Sequence, residues 1–536
     1  MSRVIVVGSG PSGVHFAQQA LACGHAVTLL DVGYPKPAPV DPAASFDALK
    51  TALDDPVGYF LGEDGEGVVY PATHPSYYGH PPSKQYVFRH PNGFRFRTGT
   101  MEPLFSFARG GLAEAWTGGA YVFNEADLQD FPVDYNSLQP YYREVIRRIG
   151  IGGSEDDLAR FIPFDGEYLP PLPLDPHSAL LVSRYGEERE RLQGEFGFHL
   201  GRSRVATLSR DHGGRKACGQ LGRCLWGCPT SSIYTPSATL NECLSSDGFR
   251  YVPGVLVSHF EYGPDGTIRR LIAEELSGGG HTAFEADHYA LAAGALLTSK
   301  IVLDSIYRAT GRLESLGGLM DNRQVHIPFL TPGMLGRAVE NASYQFHHLA
   351  FGLERPDPHE YVHGQITTLK SAAVHPIVQS LPLDLRGAMT VFRALRAGLG
   401  VANINLHDTR REESRITIRP VPGTDHTALV LDYTDDPGEE ARMRQAIRDV
   451  KRALGRLGCI VPPGMTRVLP KGASVHYSGS LPMAATPGRF TCDSDGRSRD
   501  FPNLYIADGA GFPSLPAKNL TLTLMANARR IADQLV

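Results

Sequence analysis

Apolar positions along the first thirty residues change period in an informative way. Val4–Val7 is an uninterrupted apolar run of strand length, Ser12–Cys23 carries the spacing of an amphipathic helix, and AVTLL returns to a strand that ends at Asp31. Gly24 marks the end of the helix. A second strand–turn–helix follows in HYALAAGALLTSKIVLDS, after RYVPGVLVSHFEY and a hairpin-like FEYGPDGTIRRLIAEE, and reads as a return into the first sheet. A third element, NLYIADGAGFP, predicts a short buried strand running into a loop that begins at Asp508, before a terminal helix starting near Asn519. Between residues 306 and 470 the pattern becomes strand-like alternation in SYQFHHLAFGLE, EYVHGQITTL, SRITIRPV and TALVLDY. An amphipathic helix then spans about Asp436–Leu457, with Pro437 in its first turn and Gly458 after its end. Such a mainly antiparallel sheet with one open face suits the wall of a substrate cavity. The sum is an α/β chain: a Rossmann-like nucleotide-binding domain interrupted by excursions, and an α+β domain on a largely antiparallel sheet. A surface helix is predicted over 136–149, opened by Asn136 and Ser137.

The first element also carries chemistry. Gly8, Gly10 and Gly13 sit between strand and helix, where Gly8 permits the tight turn, Gly10 lets backbone approach a pyrophosphate, and Gly13 lets helix pack on sheet. The helix N-terminus offers free N–H groups to phosphates. Asp31 ends the second strand, where a carboxylate accepts from ribose hydroxyls and argues against a 2′-phosphate. Val255–Val257 are placed to flank an adenine. Arg109-Gly110-Gly111, followed by Trp116, can run backbone amides along a flat cofactor, although an ordinary glycine-rich turn has the same composition. The Pro-, Gly- and Tyr-rich stretch 34–100 carries little periodicity and reads as a lid-like loop or an interface arm.

Cys218, Cys224 and Cys228 fall within eleven residues as C-x5-C-x3-C-P. Three soft ligands on one loop can hold zinc or an iron–sulfur cluster, three suiting a three-iron cluster; thiols buried as small hydrophobes fit the spacing as well. The fourth ligand that tetrahedral zinc needs has His212 as its sole nearby candidate.

Composition narrows the class. A chain of 536 residues is expected to form two domains, and 42% hydrophobic with 20% charged residues is ordinary for a soluble globular protein. A net charge of −5 with scattered basic residues points away from nucleic acid. No segment has the apolar length of a membrane span, and seven cysteines do not make a disulfide scaffold. With a strand opening at position 4, the expectation is a cytoplasmic chain without a cleavable signal, or export alongside a signal-bearing partner.

Taken in order, the dinucleotide motif, the GGL…W segment, the AAGA return, HYSGSLPM and the tail NLYIADGAGFPSLPAKNLTLTLMANARRIAD resemble the glucose–methanol–choline (GMC) family of FAD oxidoreductases. The resemblance spans nearly the whole chain outside 34–100, and is nearest the bacterial sugar dehydrogenase and pyranose oxidase-like branch. It implies FAD, with Ala293, Gly294, Asp508, Gly509, Asn519 and Thr521 beside the cofactor and His476 as the catalytic base with Asn519 as its partner. Ala115 stands where some family members anchor flavin through a histidine, so non-covalent FAD is expected. Leu520 replaces the family's usual proline after the asparagine. The cysteine run resembles the segment of bacterial sugar dehydrogenases that carries a [3Fe-4S] cluster, which implies an electron-accepting partner other than oxygen. The implied reaction is oxidation of an alcohol on a sugar, glycoside or polyol to a carbonyl. Its alternatives are an oxygen-using oxidase releasing peroxide and a non-catalytic flavin-binding protein. The expected division places 1–125, 205–305 and 471–536 in the FAD-binding domain, and 126–204 and 306–470 in the substrate domain.

Overall fold

A computed structural model describes residues 2–63, 65, 81–370, 378 and 381–535. Its nucleotide half is a parallel five-stranded sheet in the order Leu504–Ile506, His288–Leu291, Arg3–Val7, Ala26–Leu30, Phe249–Val252. Both faces are covered, which explains the unbroken apolar run of the first strand. Val4 and Val6 pack with Phe16 and Ala17 of the helix Pro11–Ala22 and with Ala528 and Ile531 of the terminal helix Thr521–Asp533. Ile5 and Val7 turn to the other side, into the core that contains Leu296 and Val302 of the helix Ala295–Thr310. The three segments of the sheet thus come from the start, middle and end of the chain, as the sequence pattern predicts.

The second sheet has six antiparallel strands, ordered Arg467–Val468, Gln324–Leu330, Leu399–Asn405, Val362–Thr368, Leu349–Leu353, Phe198–Arg202. One face is apolar: Val325, Ile327, Phe329, Ala402, Ile404 and Ile366 pack against the helices Pro176–Phe196 and Glu439–Arg456. The opposite face is left for a cavity.

Two predicted strands lie elsewhere. Arg415–Pro420 and Thr427–Asp432 form a separate sheet with Ser315–Gly317 and, in parallel, with Arg95–Thr98. The end of the stretch read as a lid or arm is therefore built into a sheet; most of 64–80 lies outside the described residues. The surface helix runs Tyr135–Ile149 and is capped by Asp134, whose carboxylate accepts from Ser137 N–H at 2.8 Å, so Asn136 and Ser137 are already inside it. Among the described residues no helix is long and apolar enough to cross a membrane.

Candidate active site

A cavity of about 1230 Å³ runs between the two sheets, from Gly8–Pro11 and Asp31 at one end to His476, Asn519 and the open face of the six-stranded sheet at the other. At the nucleotide end the three glycines separate by role. Gly8 has φ +98°, and a Cβ there would meet Ala292 O at 2.7 Å; at Gly13 it would meet Gly8 O at 1.9 Å. Those two are required by the fold itself. Gly10 has no neighbour within 4 Å of where a Cβ would sit, and it lines the cavity beside the N-terminus of Pro11–Ala22. Neither strain nor packing accounts for it, which leaves close approach of a ligand. The residues present fit a dinucleotide.

Asp31 lines this end too, but its Oδ2 already accepts from the Ser9 and Tyr251 hydroxyls. Burial pushes its carboxyl up to about 7. Ser9 in turn accepts the Gly110 N–H at 2.8 Å, tying the glycine-rich turn to the 109–111 loop. Ser9 and Tyr251 were not legible from the motif, because their role depends on a loop and a strand brought in from far along the chain. The Arg109 guanidinium donates to Asn241 at 2.6 Å and lies over the Tyr251 ring, and neither it nor Gly110 lines the cavity. Gly110, at φ +97°, serves the turn, since a Cβ would strike the Glu114 side chain at 2.4 Å. Gly111 and Trp116 do line the cavity, the Trp116 indole donating to Tyr234 O at 2.7 Å. Val257, Ala293, Gly294, Gly509 and Thr521 also line it. Asp508 lines it as well, while its carboxylate accepts from Gly294 N–H at 2.8 Å, the Thr298 hydroxyl at 2.6 Å and Ala510 N–H at 2.9 Å. It thereby holds the start of the helix Ala295–Thr310, and burial raises its carboxyl to about 6.

At the far end, Met320–Asp321 pairs antiparallel with Tyr477–Ser478. Asp321 accepts from the Ser474 hydroxyl at 2.5 Å and from Gly472 N–H at 2.7 Å, pinning the loop that carries His476. Val475, a β-branched residue, is held at φ +62°, strained backbone of the kind that persists where surrounding structure fixes it. His476 Nδ1 lies 2.9 Å from Asn322 Oδ1. The Asn322 amide nitrogen is committed to two carbonyls, Leu406 at 2.7 Å and Pro516 at 3.1 Å. Its oxygen must therefore face the histidine, so Nδ1 carries the proton and Nε2 carries the lone pair. Nε2 points toward Asn519 Nδ2 at 3.4 Å. Enclosure lowers the His476 imidazolium to about 4, so the ring is neutral at pH 7. Asn519 Oδ1 accepts from Gln365 Nε2 at 2.9 Å, which aims its amide N–H groups at the histidine and the cavity. Asn322 and Gln365 were missed in the sequence because nothing local marks them.

Two other histidines of the substrate half are held by hydroxyl partners of the protein. His347 bridges the Ser203 and Thr117 hydroxyls at 3.2 and 3.1 Å, and His363 meets Tyr361 OH at 3.1 Å.

The expected iron–sulfur site is not assembled as a ligand set. Cys218, Cys224 and Cys228 pack around Leu172, Val205, Ile233 and Tyr344. Cys224 Sγ accepts Gln345 N–H at 3.4 Å, and Cys228 Sγ lies 3.6 Å from the Thr230 hydroxyl. Burial raises the Cys218 and Cys224 thiols. Among the described residues no three His, Cys, Asp or Glu side chains are disposed to hold a metal ion.

Comparison with known proteins shows what the chain is similar to. A family model described as GMC oxidoreductase matches residues 410–528. Paromamine 6′-oxidase of Streptomyces fradiae is 23% identical over 99% of this chain and 90% of its own length. The fructose dehydrogenase large subunit of Gluconobacter japonicus is 22% identical over 99% and 97%. The crystal structure of pyridoxine 4-oxidase from Mesorbium loti superposes with a TM-score of 0.63 at 16% identity, covering 100% of this chain and 99% of that one.

Proposed function

We propose that this chain, whose residues 410–528 match a GMC oxidoreductase family model, is an FAD-dependent enzyme that oxidises an alcohol on a sugar, glycoside or related polyol to a carbonyl. The observation that carries the reading is the His476–Asn519 pair at the end of a cavity that begins on the Gly8–Gly10 turn. Non-covalent FAD would lie along that cavity, its phosphates on the backbone around Gly10 and the helix N-terminus at Pro11, its adenosine between Asp31 and Val257. When bound, FAD supplies the acceptor for the hydride that leaves the alcohol carbon. The protein supplies the rest. His476 Nε2, unprotonated at neutral pH, takes the hydroxyl proton, while Asn519 Nδ2 donates to the alcohol oxygen and fixes which hydroxyl reacts. Asn322, by accepting from Nδ1–H, leaves Nε2 as the nitrogen that takes that proton. Residues 1–125, 205–305 and 471–536 make the FAD-binding half in this reading, and 126–204 with 306–470 the substrate half.

Sugar as the substrate class rests on the full-length relatives, a paromamine oxidase and a fructose dehydrogenase by name. Those names divide between oxidase and dehydrogenase, so the electron acceptor is assigned by reoxidation: fast peroxide release in air makes the enzyme an oxidase. Slow reoxidation in air with fast turnover on an artificial dye makes it a dehydrogenase. Iron and acid-labile sulfide analysis decides whether Cys218, Cys224 and Cys228 take part. The reading itself is tested by anaerobic bleaching of bound flavin with sugars, glycosides and polyols; a flavin-loaded protein that none of them reduces overturns it.

A further inference from the structure

The six-stranded sheet presents its open face to the cavity with a period of two: Gln324, His326 and Pro328 on one strand, Val401 and Asn403 on the next, Gln365 and Thr367 on the third. Register aligns one row across these strands. Arg467 pairs with His326, His326 with Asn403, and Asn403 with Gln365. All four side chains line the cavity. With strands about 4.8 Å apart, the row extends about 14 Å from Gln365 to Arg467. Its inner end is the catalytic pair, since Gln365 donates to Asn519. Its outer end, Arg467, is exposed at the mouth.

The middle of the row is not spent on the protein. Asn403 Oδ1 is buried without a hydrogen-bond partner among the described residues, a condition native structures rarely leave unanswered. His326 beside it is largely enclosed and kept neutral, with its imidazolium lowered to about 4, so it offers one donor and one acceptor rather than a charge. The charges around the row are one-sided. The carboxylates that line the cavity, Asp31, Glu274, Asp304 and Asp508, all belong to the nucleotide half, whereas the described residues of the sheet side contribute Lys370 and Arg467 and no acid.

We propose that the row Gln365–Asn403–His326 reads the hydroxyls of a neutral sugar or glycoside whose reacting carbon lies at His476, and that the carboxylate-free wall disfavours cationic amino sugars. The proposal rests on the reading of the site as an alcohol-oxidising one and adds the determinants of specificity. Neutral amide and imidazole groups suit sugar hydroxyls, which both donate and accept, and they give an ammonium no counter-charge.

The test uses the flavin-loaded enzyme and matched probes: glucose and glucosamine, galactose and galactosamine, mannose and mannosamine, with their methyl glycosides. Anaerobic flavin reduction is expected to favour the neutral member of each reactive pair by tenfold or more. Asn403→Leu is expected to raise KM for that sugar about 3- to 10-fold, as loss of one uncharged hydrogen bond does, with a smaller change in kcat. Asn403→Asp is expected to shift the preference toward the amino sugar by about tenfold. If the variants do not fold, the wild-type preference decides alone. Equal or better reduction by the amino sugars, an unmoved KM in a folded Asn403→Leu enzyme, or reduction by simple monohydroxy alcohols alone overturns the proposal while leaving alcohol oxidation intact. Failure of every alcohol to reduce the flavin overturns both.

Discussion

Replacing His476 by alanine separates base catalysis from everything else the site does. A positioned general base contributes about 10²- to 10⁴-fold, so the rate of flavin reduction by a true substrate should fall by that factor. Flavin content should stay near the wild-type level, because His476 sits at the substrate end, far from the Gly8–Gly10 turn. The pH dependence gives an independent sign. The His476 imidazolium is lowered to about 4 from an ordinary value of 6.5, so the folded protein binds fewer protons than the unfolded chain between those values. Stability from this group is therefore full above pH 6.5 and is lost as pH falls toward 4. At pH 5 the loss works out to at most about 2 kcal/mol, reduced to the extent that the ring is open to the cavity. His476→Ala should remove that portion of the acid sensitivity, so its melting temperature should drop less than the wild type's between pH 8 and pH 5. The assays are stopped-flow flavin reduction without oxygen and thermal melts at the two pH values. An unchanged reduction rate with a substrate that bleaches the wild type would end the assignment of His476 as base and favour a flavin protein that does no chemistry there.

Asn322→Ala should lower kcat about tenfold with a smaller change in KM, since the ring loses the acceptor that fixes its tautomer; an effect on KM alone would make Asn322 a substrate contact instead. Asp31→Ala releases the Ser9 and Tyr251 hydroxyls and the link to the 109–111 loop, so flavin retention on dilution should weaken by about tenfold or more, read by fluorescence of released flavin. Ala115 leaves no imidazole before Trp116, so acid precipitation should release all the flavin into the supernatant; flavin that stays with the pellet would show a covalent link made elsewhere.

Much of the nucleotide half was legible from local pattern. The run Val4–Val7, the spaced glycines and the acid at Asp31 need only neighbours within thirty residues, and the period of the apolar positions named each element. His476 and Asn519 were singled out by resemblance, and the local Gly/Ser turn was compatible with it. What the chain could not show by itself was whatever depends on strand pairing between distant segments. Arg109 carried a cofactor expectation beside its glycine neighbours, and only the fold shows its guanidinium reaching Asn241. The three cysteines have the spacing of a ligand set, but whether they meet as one depends on tertiary packing, which sets them against Leu172, Val205, Ile233 and Tyr344. Asn322, Gln365 and Asn403 are ordinary residues in ordinary strands. Their meaning comes from register: a two-residue ladder sets Asn322 against His476, and the antiparallel sheet lines Gln365, Asn403 and His326 in one row. A side-chain period of two decides which face each residue takes, while tertiary pairing decides what that face meets. The sequence alone thus pointed to a dinucleotide site and to the residue proposed as base; the tertiary structure decided which nitrogen of that residue carries the lone pair and what chemistry the opposite wall presents to the cavity.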